Sequence, residues 1–416
     1  MQAKCQQNDS QGRHRWPDLI GIVIATSLLF AIGAPAIYRS QNYVKTIKCT
    51  NQLRQVGVAL HVVSINDPKE RFCTGAYDYR RDGCPDEIGW VSDIMDLGAF
   101  EEPVLCPNTK SRGGVTLNDL IGVQGQPVEP LLPEEQYGQL SVGRCEPFLH
   151  GGVDPESAKD DLLPPGSAAR RDHVADILKA NYNTTYVPSW FLTRWSIRTD
   201  YDREGNLIVS KEGPVTDRRG STGPVRRRDL ETSTISSNAT PWVCDGSTSA
   251  KKDRRLIADL SETLSAGDPL SATQTGGPVY WNADRKVFIP LMPGTVLVPA
   301  NRKDEKLKPF CLDELPDEEN PGDGGMDQKL WLQDTRQWAA EHYGGSEAKQ
   351  VGVILMADGS AKTISDVDGD GRLNPGFQVG EESKSGYASD TVELTLKVAW
   401  SGPCIPSSIP YKGTFE

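Results

Sequence analysis

The chain has little positive charge for its length. Its 416 residues carry 45 Lys and Arg against 57 Asp and Glu, which gives a formal net charge of −12. Phosphate backbones and anionic lipid headgroups repel an acidic protein, so neither nucleic acid nor an anionic membrane face is expected as a main partner.

Sequence motifs of the common enzyme classes are missing as well. The chain has no Gly-x-Ser-x-Gly elbow, no phosphate-binding glycine loop and no His-Glu-x-x-His pair. The five histidines are scattered without metal-ligand spacing. Cys84-Pro85 and Cys106-Pro107 lack the CxxC pairs of a zinc site, which favours disulfides at these cysteines. We therefore expect a protein without an active site.

Hydrophobic residues are also in short supply, at 37% of the chain, but this share is too high for a disordered protein. With 40 Gly and 29 Pro, the sequence is expected to form many turns and long loops. The part of the chain beyond residue 66 is long enough for one large domain or two of ordinary size.

Long uncharged runs are equally scarce, and the chain has one of them, from Leu19 to Tyr38. Twenty residues in a helix rise about 30 Å, which matches the hydrocarbon core of a bilayer. A cleavable signal peptide is the alternative, because Ala34-Pro35-Ala36 resembles a cleavage box. Pro35 is unfavourable within such a box, however, and the apolar core is long for a signal peptide. The run therefore predicts a retained membrane-spanning helix at 19–38.

The helical pattern continues beyond this run. Apolar residues recur near one face of a helix at Val44, Ile47, Leu53, Val56 and Leu60. Asn66-Asp67-Pro68 is a stop signal, because the residue before a proline disfavours helical geometry. One long helix over 18–66 is therefore predicted, kinked at Pro35, with its second half packed on a folded body.

The expected fold class is α+β, in which the long N-terminal membrane-spanning helix packs on an antiparallel sheet with large loops. Residues 1–17 are expected to form a cytoplasmic tail, residues 18–66 the helix, and residues 67–416 an extracytoplasmic domain with loop insertions.

Three local patterns within that domain predict secondary structure. Tyr186 to Ile208 is rich in aromatic and β-branched residues around Glu204-Gly205-Asn206, which predicts a hairpin. Leu330 to Tyr343 has Trp331 and Trp338 on one helical face, which predicts a helix. Asp358-Gly359 between two apolar runs predicts a second hairpin.

Eight cysteines follow the uncharged run, whereas Cys5 precedes it. An even number in a loop-rich body favours an oxidising compartment and up to four disulfides, although reduced and buried cysteines are the alternative. The candidates are Cys49, Cys73, Cys84, Cys106, Cys145, Cys244, Cys311 and Cys404. Positive charge is nearly balanced on the two sides of the run, so the cysteines decide the orientation and place the body outside the cytoplasm.

An acidic segment near the C-terminus has the spacing of the first half of a calcium-binding loop. Oxygen ligands at positions one, three and five, with glycine at six, let a short backbone wrap a hard cation. The predicted ligands are Asp366, Asp368, Asp370, the carbonyl of Arg372 and Asn374. The twelfth position is Phe377 instead of Glu, so the remaining ligand must come from elsewhere, such as Glu381 or Glu382. The alternative is an acidic turn without a cation.

The N-terminal helix resembles that of type IV pilins and type II secretion pseudopilins. Asp18 and Pro35 stand seventeen residues apart, as an acidic residue and a proline do in that class. The segment from Cys49 to His61 is similar, position by position, to the segment after the membrane helix in the large planctomycete family of pilin-like proteins. Val353 to Ser360 is similar to the C-terminal box of that family. The resemblance covers both ends of the chain and part of its middle.

The chain departs from that family at two points. Counted back from Asp18, the family's cleavage point falls between Arg13 and His14, where the glycine needed for processing is absent. The helix is therefore expected to stay uncleaved, with Asp18 either paired with a nearby basic residue or capping the helix. The family's C-terminal His stands ten positions before an Asp-Gly pair, whereas His342 lies sixteen positions before Asp358.

The resemblance implies a non-enzymatic, membrane-anchored protein of pilin or pseudopilin type that serves a structural role or a role in secretion or surface assembly. It implies a single-pass position in the inner membrane, with the C-terminal domain in the periplasm and with copies of itself or other pilin-like subunits as partners. The alternative is a tethered extracytoplasmic binding module, which the tryptophan-rich segment 186–195 and the predicted calcium loop support.

Overall fold

One helix dominates the N-terminal part of the structure. The computed structural model describes residues 15–126, 128–148, 163–233, 236–248, 254–282, 285, 287–298, 332–344, 348–377 and 386–394. Helix α1 spans Arg15–Asn66, 52 residues, and ends at the predicted stop signal. Just beyond it, the Asp67 carboxylate accepts backbone hydrogen bonds from Lys69 and Arg71 and pairs with the Arg71 guanidinium at 2.8 Å. These bonds hold the turn that follows the helix.

The prediction of a membrane-spanning helix at 19–38 is wrong. Among the described residues, no helix combines the length and the apolar character that crossing a bilayer requires. Within this part of α1, the hydroxyl of Thr26 donates back to the carbonyl of Ile22 at 2.8 Å. The predicted α+β class and its antiparallel sheets are confirmed, whereas the membrane-spanning helix of the predicted fold is not.

The remaining helices and the strands are short. The helices that follow are α2 (Trp90–Asp96), α3 (Thr116–Ile121), α4 (Ala168–Lys179), α5 (Trp190–Arg194) and α6 (Arg227–Thr232). Turns of 3₁₀ helix cover Glu134–Ser141, Gly143–Phe148 and Ser237–Ala239. The strands are β1 (Tyr186–Pro188), β2 (Thr199–Tyr201), β3 (Leu207–Val209), β4 (Pro241–Asp245), β5 (Pro278–Asn282), β6 (Val287–Pro290), β7 (Val296–Val298), β8 (Leu332–Gln333), β9 (His342–Gly344), β10 (Ala348–Met356) and β11 (Ala361–Asp366).

The strands of the described residues form three antiparallel sheets. The central sheet has the order β1-β4-β10-β11, and β9 pairs with the first part of β10. The smaller sheets have the orders β2-β3-β7 and β6-β5-β8. Strand β10 is the longest and lies in the middle of the central sheet, where it pairs with β4, β9 and β11. The residues that β4 and β9 carry are therefore brought together around β10.

The predicted hairpin at Asp358-Gly359 is confirmed. Strands β10 and β11 pair in register from Gln350 and Asp366 to Leu355 and Ala361. Gly359 has a φ of 82°, which a side chain would strain, and its N–H donates to the carbonyl of Met356 at 2.9 Å.

One other local prediction is confirmed in part, and another is wrong because tertiary pairing overrides local pattern. The turn at Glu204-Gly205-Asn206 does join β2 and β3, but β1 pairs with β4 in a different sheet. The predicted helix at 330–343 is wrong. Its described part forms β8, a turn and β9, and the indole N–H of Trp338 donates to the carbonyl of Val187 at 3.0 Å. The Trp338 side chain is thus buried against the central sheet instead of lying on one face of a helix.

The second half of α1 packs on the central sheet, on a face shifted from the predicted one. Its buried residues follow helical spacings of three and four: Thr46, Cys49, Leu53, Val56 and Leu60. Val44 and Ile47, which were predicted to face the body, are 58% and 43% exposed. Thr46 takes the inward position because its hydroxyl reaches the carbonyl of Tyr343 on β9 at 3.4 Å. A polar residue and a cysteine thus occupy the stripe where apolar residues were expected.

Gly57 marks the closest approach of α1 to the sheet. A Cβ atom at this position would lie 2.9 Å from Cδ1 of Leu355 and 3.1 Å from Cα of Gly359. Both distances are shorter than ordinary carbon contacts of about 3.5–4.0 Å, so the absence of a side chain lets the helix lie directly on the β10–β11 hairpin.

We expect Gly57→Ala to lower the free energy of unfolding by about 1 kcal/mol. Overpacking costs about 1–3 kcal/mol, and the higher helix propensity of alanine offsets about 1 kcal/mol of this. Urea denaturation measures the difference.

Gly21→Ala is the matched control, because a Cβ atom at Gly21 would meet nothing within 4 Å. This substitution keeps only the gain in helix propensity and is expected to leave stability unchanged or raise it by up to about 1 kcal/mol. Equal effects of the two substitutions would contradict the close packing at Gly57.

Candidate functional site

The first half of α1 extends beyond the body as an exposed apolar rod. We call residues 20–45 the protruding segment. Those of its large apolar side chains that the structure describes are between 54% and 66% exposed, in contrast to the buried stripe that begins at Thr46. They are Ile20, Ile22, Val23, Ile24, Leu28, Ile37, Tyr38, Tyr43 and Val44. An exposed apolar surface of this kind marks an interaction site.

In the first part of the protruding segment, apolar side chains point to all sides of the helix, whereas residues 39–42 are polar. Successive residues of an α-helix are rotated by about 100°, so Ile20, Ile22, Val23 and Ile24 point in four different directions around the axis. A helix that is apolar on every side is normally buried on every side. A single neighbour would cover only one face of such a helix.

Asp18 and Pro35, the predicted assembly and anchor residues, lie within α1. Their side chains lie outside the part of the chain that the structure describes. The roles assigned to them stay predictions.

A second candidate site lies in the core, where α1 meets the sheet. Four side chains of metal-ligand type converge there, each from a different segment, and we call them the buried tetrad: Cys49, Cys106, Asp245 and His342. Cys49 lies in the buried stripe of α1, Asp245 ends β4, and His342 begins β9. Cys106 lies in the loop after α2, where its N–H donates to the Thr185 hydroxyl at 2.8 Å.

The ligand atoms of the buried tetrad face one another. All four lie within 4.8 Å of each other, and the four residues are at most 5% exposed. Sγ of Cys49 lies 3.3 Å from Oδ1 of Asp245, and Sγ of Cys106 lies 3.3 Å from Nε2 of His342. The same Nε2 lies 3.0 Å from Oδ2 of Asp245. One ring nitrogen is thus approached by both a sulfur and a carboxylate oxygen.

Burial and charge shift the ionisation of the tetrad. Burial raises the pKa of Cys49 well above its ordinary value, and the hydrogen bond with Cys106 and the charge of Asp245 raise it further. Burial opposes a charged ring at His342, but Asp245 and Cys106 outweigh it and raise its pKa to about 10. The pKa of Cys106 is lowered, because hydrogen bonds with Cys49 and His342 outweigh its burial. These shifts favour the neutral thiol of Cys49 and the protonated ring of His342.

Hydrogen-bond donors surround the tetrad. The hydroxyl of Tyr186 donates to Sγ of Cys49 at 3.3 Å, and the N–H of Asn108 donates to Sγ of Cys106 at 3.4 Å. The N–H of Val353 on β10 donates to Oδ2 of Asp245 at 3.4 Å. Donors in this position stabilise thiolate and carboxylate charge.

The other cysteines divide into a disulfide and two isolated thiols. Cys84 and Cys145 form a disulfide with Cα atoms 5.8 Å apart. Cys73 and Cys244 are free and buried, like the two tetrad cysteines. Cys311 and Cys404 lie outside the described residues. Among the described cysteines, the predicted disulfide set is thus reduced to one pair, because the sulfurs of Cys49 and Cys106 face polar partners and Cys73 and Cys244 are buried elsewhere in the core.

The predicted calcium loop begins where β11 ends. Carboxylate oxygens of Asp366, Asp368 and Asp370 lie within 4.8 Å of one another. Asn374 is turned elsewhere, because its Oδ1 accepts the N–H groups of Gly376 and Phe377 at 3.0 and 2.9 Å. The structure therefore groups three of the predicted ligand side chains and leaves Asn374 apart.

The remaining predicted ligands were the carbonyl of Arg372 and a carboxylate from Glu381 or Glu382, and neither prediction is tested by the described contacts. The guanidinium of Arg372 donates to the carbonyl of Arg336 at 2.7 Å, and its backbone N–H donates to Asp370 at 2.7 Å. Glu381 and Glu382, the predicted sources of the missing carboxylate, lie outside the described residues.

Sequence reasoning missed Glu393, which lies beside the acidic loop. Its carboxylate accepts the N–H groups of Val367 at 2.7 Å and Asn374 at 2.8 Å. Burial raises the pKa of Glu393 to about 7, and the charges of Asp368 and Asp366 contribute. Four carboxylates therefore crowd one small region. No sequence pattern pointed to Glu393, because it belongs to a separate segment of the chain.

Calcium binding by this loop stays a prediction. Titration with millimolar calcium is expected to release or absorb heat in calorimetry and to raise the melting temperature by roughly 3 °C, because a cation relieves the repulsion among these carboxylates. Asp368→Asn should abolish both effects, since it removes one charge while a side-chain oxygen remains. Asp200→Asn, at an exposed position on β2, is the control. Absence of heat and of a thermal shift in the wild type would contradict the prediction.

No protein-family model, curated protein or solved structure matches this chain. Its function must therefore be inferred from the arrangement of its own residues.

Proposed function

We propose that this chain is a non-enzymatic structural subunit that assembles with other copies of itself through the protruding segment of α1. The resemblance of its N-terminal helix to pilins and pseudopilins supports this function. The single observation that carries it is the set of exposed apolar side chains that point to all sides of the helix within residues 20–28, beside a body that buries only the second half of the same helix.

The energetics favour an assembly of several subunits over a simple pair. Removing the remaining exposed area of each large apolar side chain from water contributes about 1 kcal/mol, so full burial of the protruding segment contributes on the order of 9 kcal/mol. A single partner helix covers roughly half of that surface, and association costs about 4–15 kcal/mol. Several neighbours therefore stabilise the segment better than one.

The body gives the protruding segment a fixed direction. Helix α1 is continuous from Arg15 to Asn66, and its second half is held by the sheet at Leu53, Gly57 and Leu60. The segment is therefore a continuous extension of a helix that is already packed on the body. Less conformational entropy is lost when helices that are already formed associate side by side.

The buried tetrad does not form a cysteine-protease type of catalytic site. Such a site needs one imidazole nitrogen for the nucleophile and the other for the carboxylate. Here Cys106 and Asp245 approach the same nitrogen of His342, and all three residues are at most 5% exposed. A substrate has no access to this sulfur.

The alternative function as a binding module receives less support from the structure. The tryptophan-rich segment 186–195 was expected to offer an aromatic binding surface. Trp190 is 1% exposed, and its indole N–H donates to the carbonyl of Val215 at 2.9 Å. This segment belongs to the core, so the alternative depends on the acidic loop alone.

Cysteine crosslinking tests the assembly in intact cells. In a Cys5→Ser background, Val23→Cys and Ile37→Cys place thiols at positions that are 61% and 60% exposed on the protruding segment. Mild oxidation is expected to crosslink these variants from helix to helix. A variant with both thiols should give a ladder of covalent oligomers, because each helix then has contacts on more than one side.

Glu101→Cys, at an exposed position on the body, is the matched control and is expected to stay monomeric. Ile24→Glu, added to the double-cysteine variant, should lower the crosslinked fraction about tenfold, because a charge on the rod opposes burial. Monomers throughout, or equal crosslinking at Glu101→Cys, would exclude assembly through the helix.

A further inference from the structure

The buried tetrad has the ligand set of a zinc site. Cysteine sulfur, histidine nitrogen and aspartate oxygen are the three ligand types that zinc takes in proteins, and structural sites use four of them in a tetrahedral arrangement. The tetrad supplies two sulfurs, one nitrogen and one carboxylate, all buried and all turned toward a common point.

The spacing of the ligand atoms matches that arrangement. Bonds of about 2.3 Å to sulfur and about 2.0–2.1 Å to nitrogen or oxygen place sulfur about 3.5 Å from nitrogen or oxygen at tetrahedral angles, and nitrogen about 3.3 Å from oxygen. The two sulfur distances, from Cys49 to Asp245 and from Cys106 to His342, are both 3.3 Å. The nitrogen–oxygen distance between His342 and Asp245 is 3.0 Å. All three lie within about 0.3 Å of the tetrahedral values.

Hydrogen bonding alone explains this arrangement poorly. A ring nitrogen carries at most one proton, yet Nε2 of His342 faces both Cys106 and Asp245. The other ring nitrogen of His342 is buried and, within the described residues, has no hydrogen-bond partner. The sulfur of Cys106 and the carboxylate of Asp245 thus converge on the one ring nitrogen that would bind a metal ion.

We propose that the buried tetrad binds one Zn²⁺ ion as a closed structural site in which all four ligands come from this chain. Thiolate ligands favour zinc over the hard cations calcium and magnesium, and four protein ligands leave no open position for a substrate. Two thiolates and one carboxylate exceed the ion's charge by one. The donors from Tyr186, Asn108 and Val353 stabilise that excess.

The zinc ion joins four segments that are far apart in the chain. It links α1 to β4, β9 and the loop after α2, beside the point where the protruding segment leaves the body. The ion therefore fixes the position of α1 on the sheet. This inference is independent of the proposed assembly, because a zinc-bound body is equally compatible with a chain that stays monomeric.

Metal analysis of the full-length protein tests the site. Wild-type protein purified without chelator is expected to hold about one zinc per chain. Cys49→Ser and Cys106→Ser should each lower this content at least tenfold. Cys73→Ser and Cys244→Ser are matched controls, because both remove a free buried thiol outside the tetrad, and they should retain the metal.

Two further measurements on the wild type do not depend on a variant that folds. Removal of the metal should lower the melting temperature by on the order of 5 °C, and added zinc should restore it. Replacement with Co²⁺ should give the visible absorption of a tetrahedral site and a thiolate-to-cobalt charge-transfer band.

Three outcomes would overturn the proposal. The first is wild-type protein that takes up neither zinc nor cobalt. The second is equal metal loss in the tetrad variants and in the control variants. The third is a disulfide between Cys49 and Cys106, detected by alkylation and mass spectrometry of the freshly purified chain.

Discussion

The packing of α1 on the central sheet is the contact on which the rest of the structure depends. Gly57 lets the helix lie directly on the β10–β11 hairpin, and the buried stripe then meets β9 and β10 at helical intervals. This contact fixes the position of α1 along its axis and its rotation about that axis, and Cys49 thereby lies beside Asp245. The same contact sets the direction in which residues 20–45 leave the body. The close packing of α1 at Gly57 thus positions both candidate sites.

Much of this helix was predictable, because its signals are local. The stop at Asn66 follows from Asp67-Pro68, and the β10–β11 hairpin follows from Asp358-Gly359. The rotation of the helix was not predictable, because Thr46 faces the sheet through a contact with Tyr343, which lies 297 residues away. The helix predicted at 330–343 failed for a similar reason, since the pairing of β8 with the distant strand β5 and of β9 with β10 overrode its periodicity. The membrane span was inferred from the length of an uncharged run, whereas no helix among the described residues is long and apolar enough to cross a bilayer.

The candidate sites differ in how far sequence could predict them. Three carboxylates of the acidic loop stand two residues apart, so their grouping follows from the chain itself, whereas Glu393 joins them only through tertiary structure. The buried tetrad has no local signature at all. Cys49 and Asp245 are 196 residues apart, and Cys106 and His342 are 236 apart. Cys106 has no closely spaced cysteine partner in the sequence, so the lack of CxxC pairs argued against a zinc site there. The useful signal was a cysteine within the buried stripe of a long helix, where an apolar residue was expected.

The order of these segments along the chain has a consequence for biosynthesis. Helix α1 is synthesised long before the strands β9, β10 and β11 that pack on its buried stripe, whereas α2, which shares the same core, follows it closely. In a nascent chain the stripe is therefore covered only in part, and contacts of such large sequence separation form slowly. An apolar surface left uncovered in this way is prone to aggregation until the later strands emerge from the ribosome.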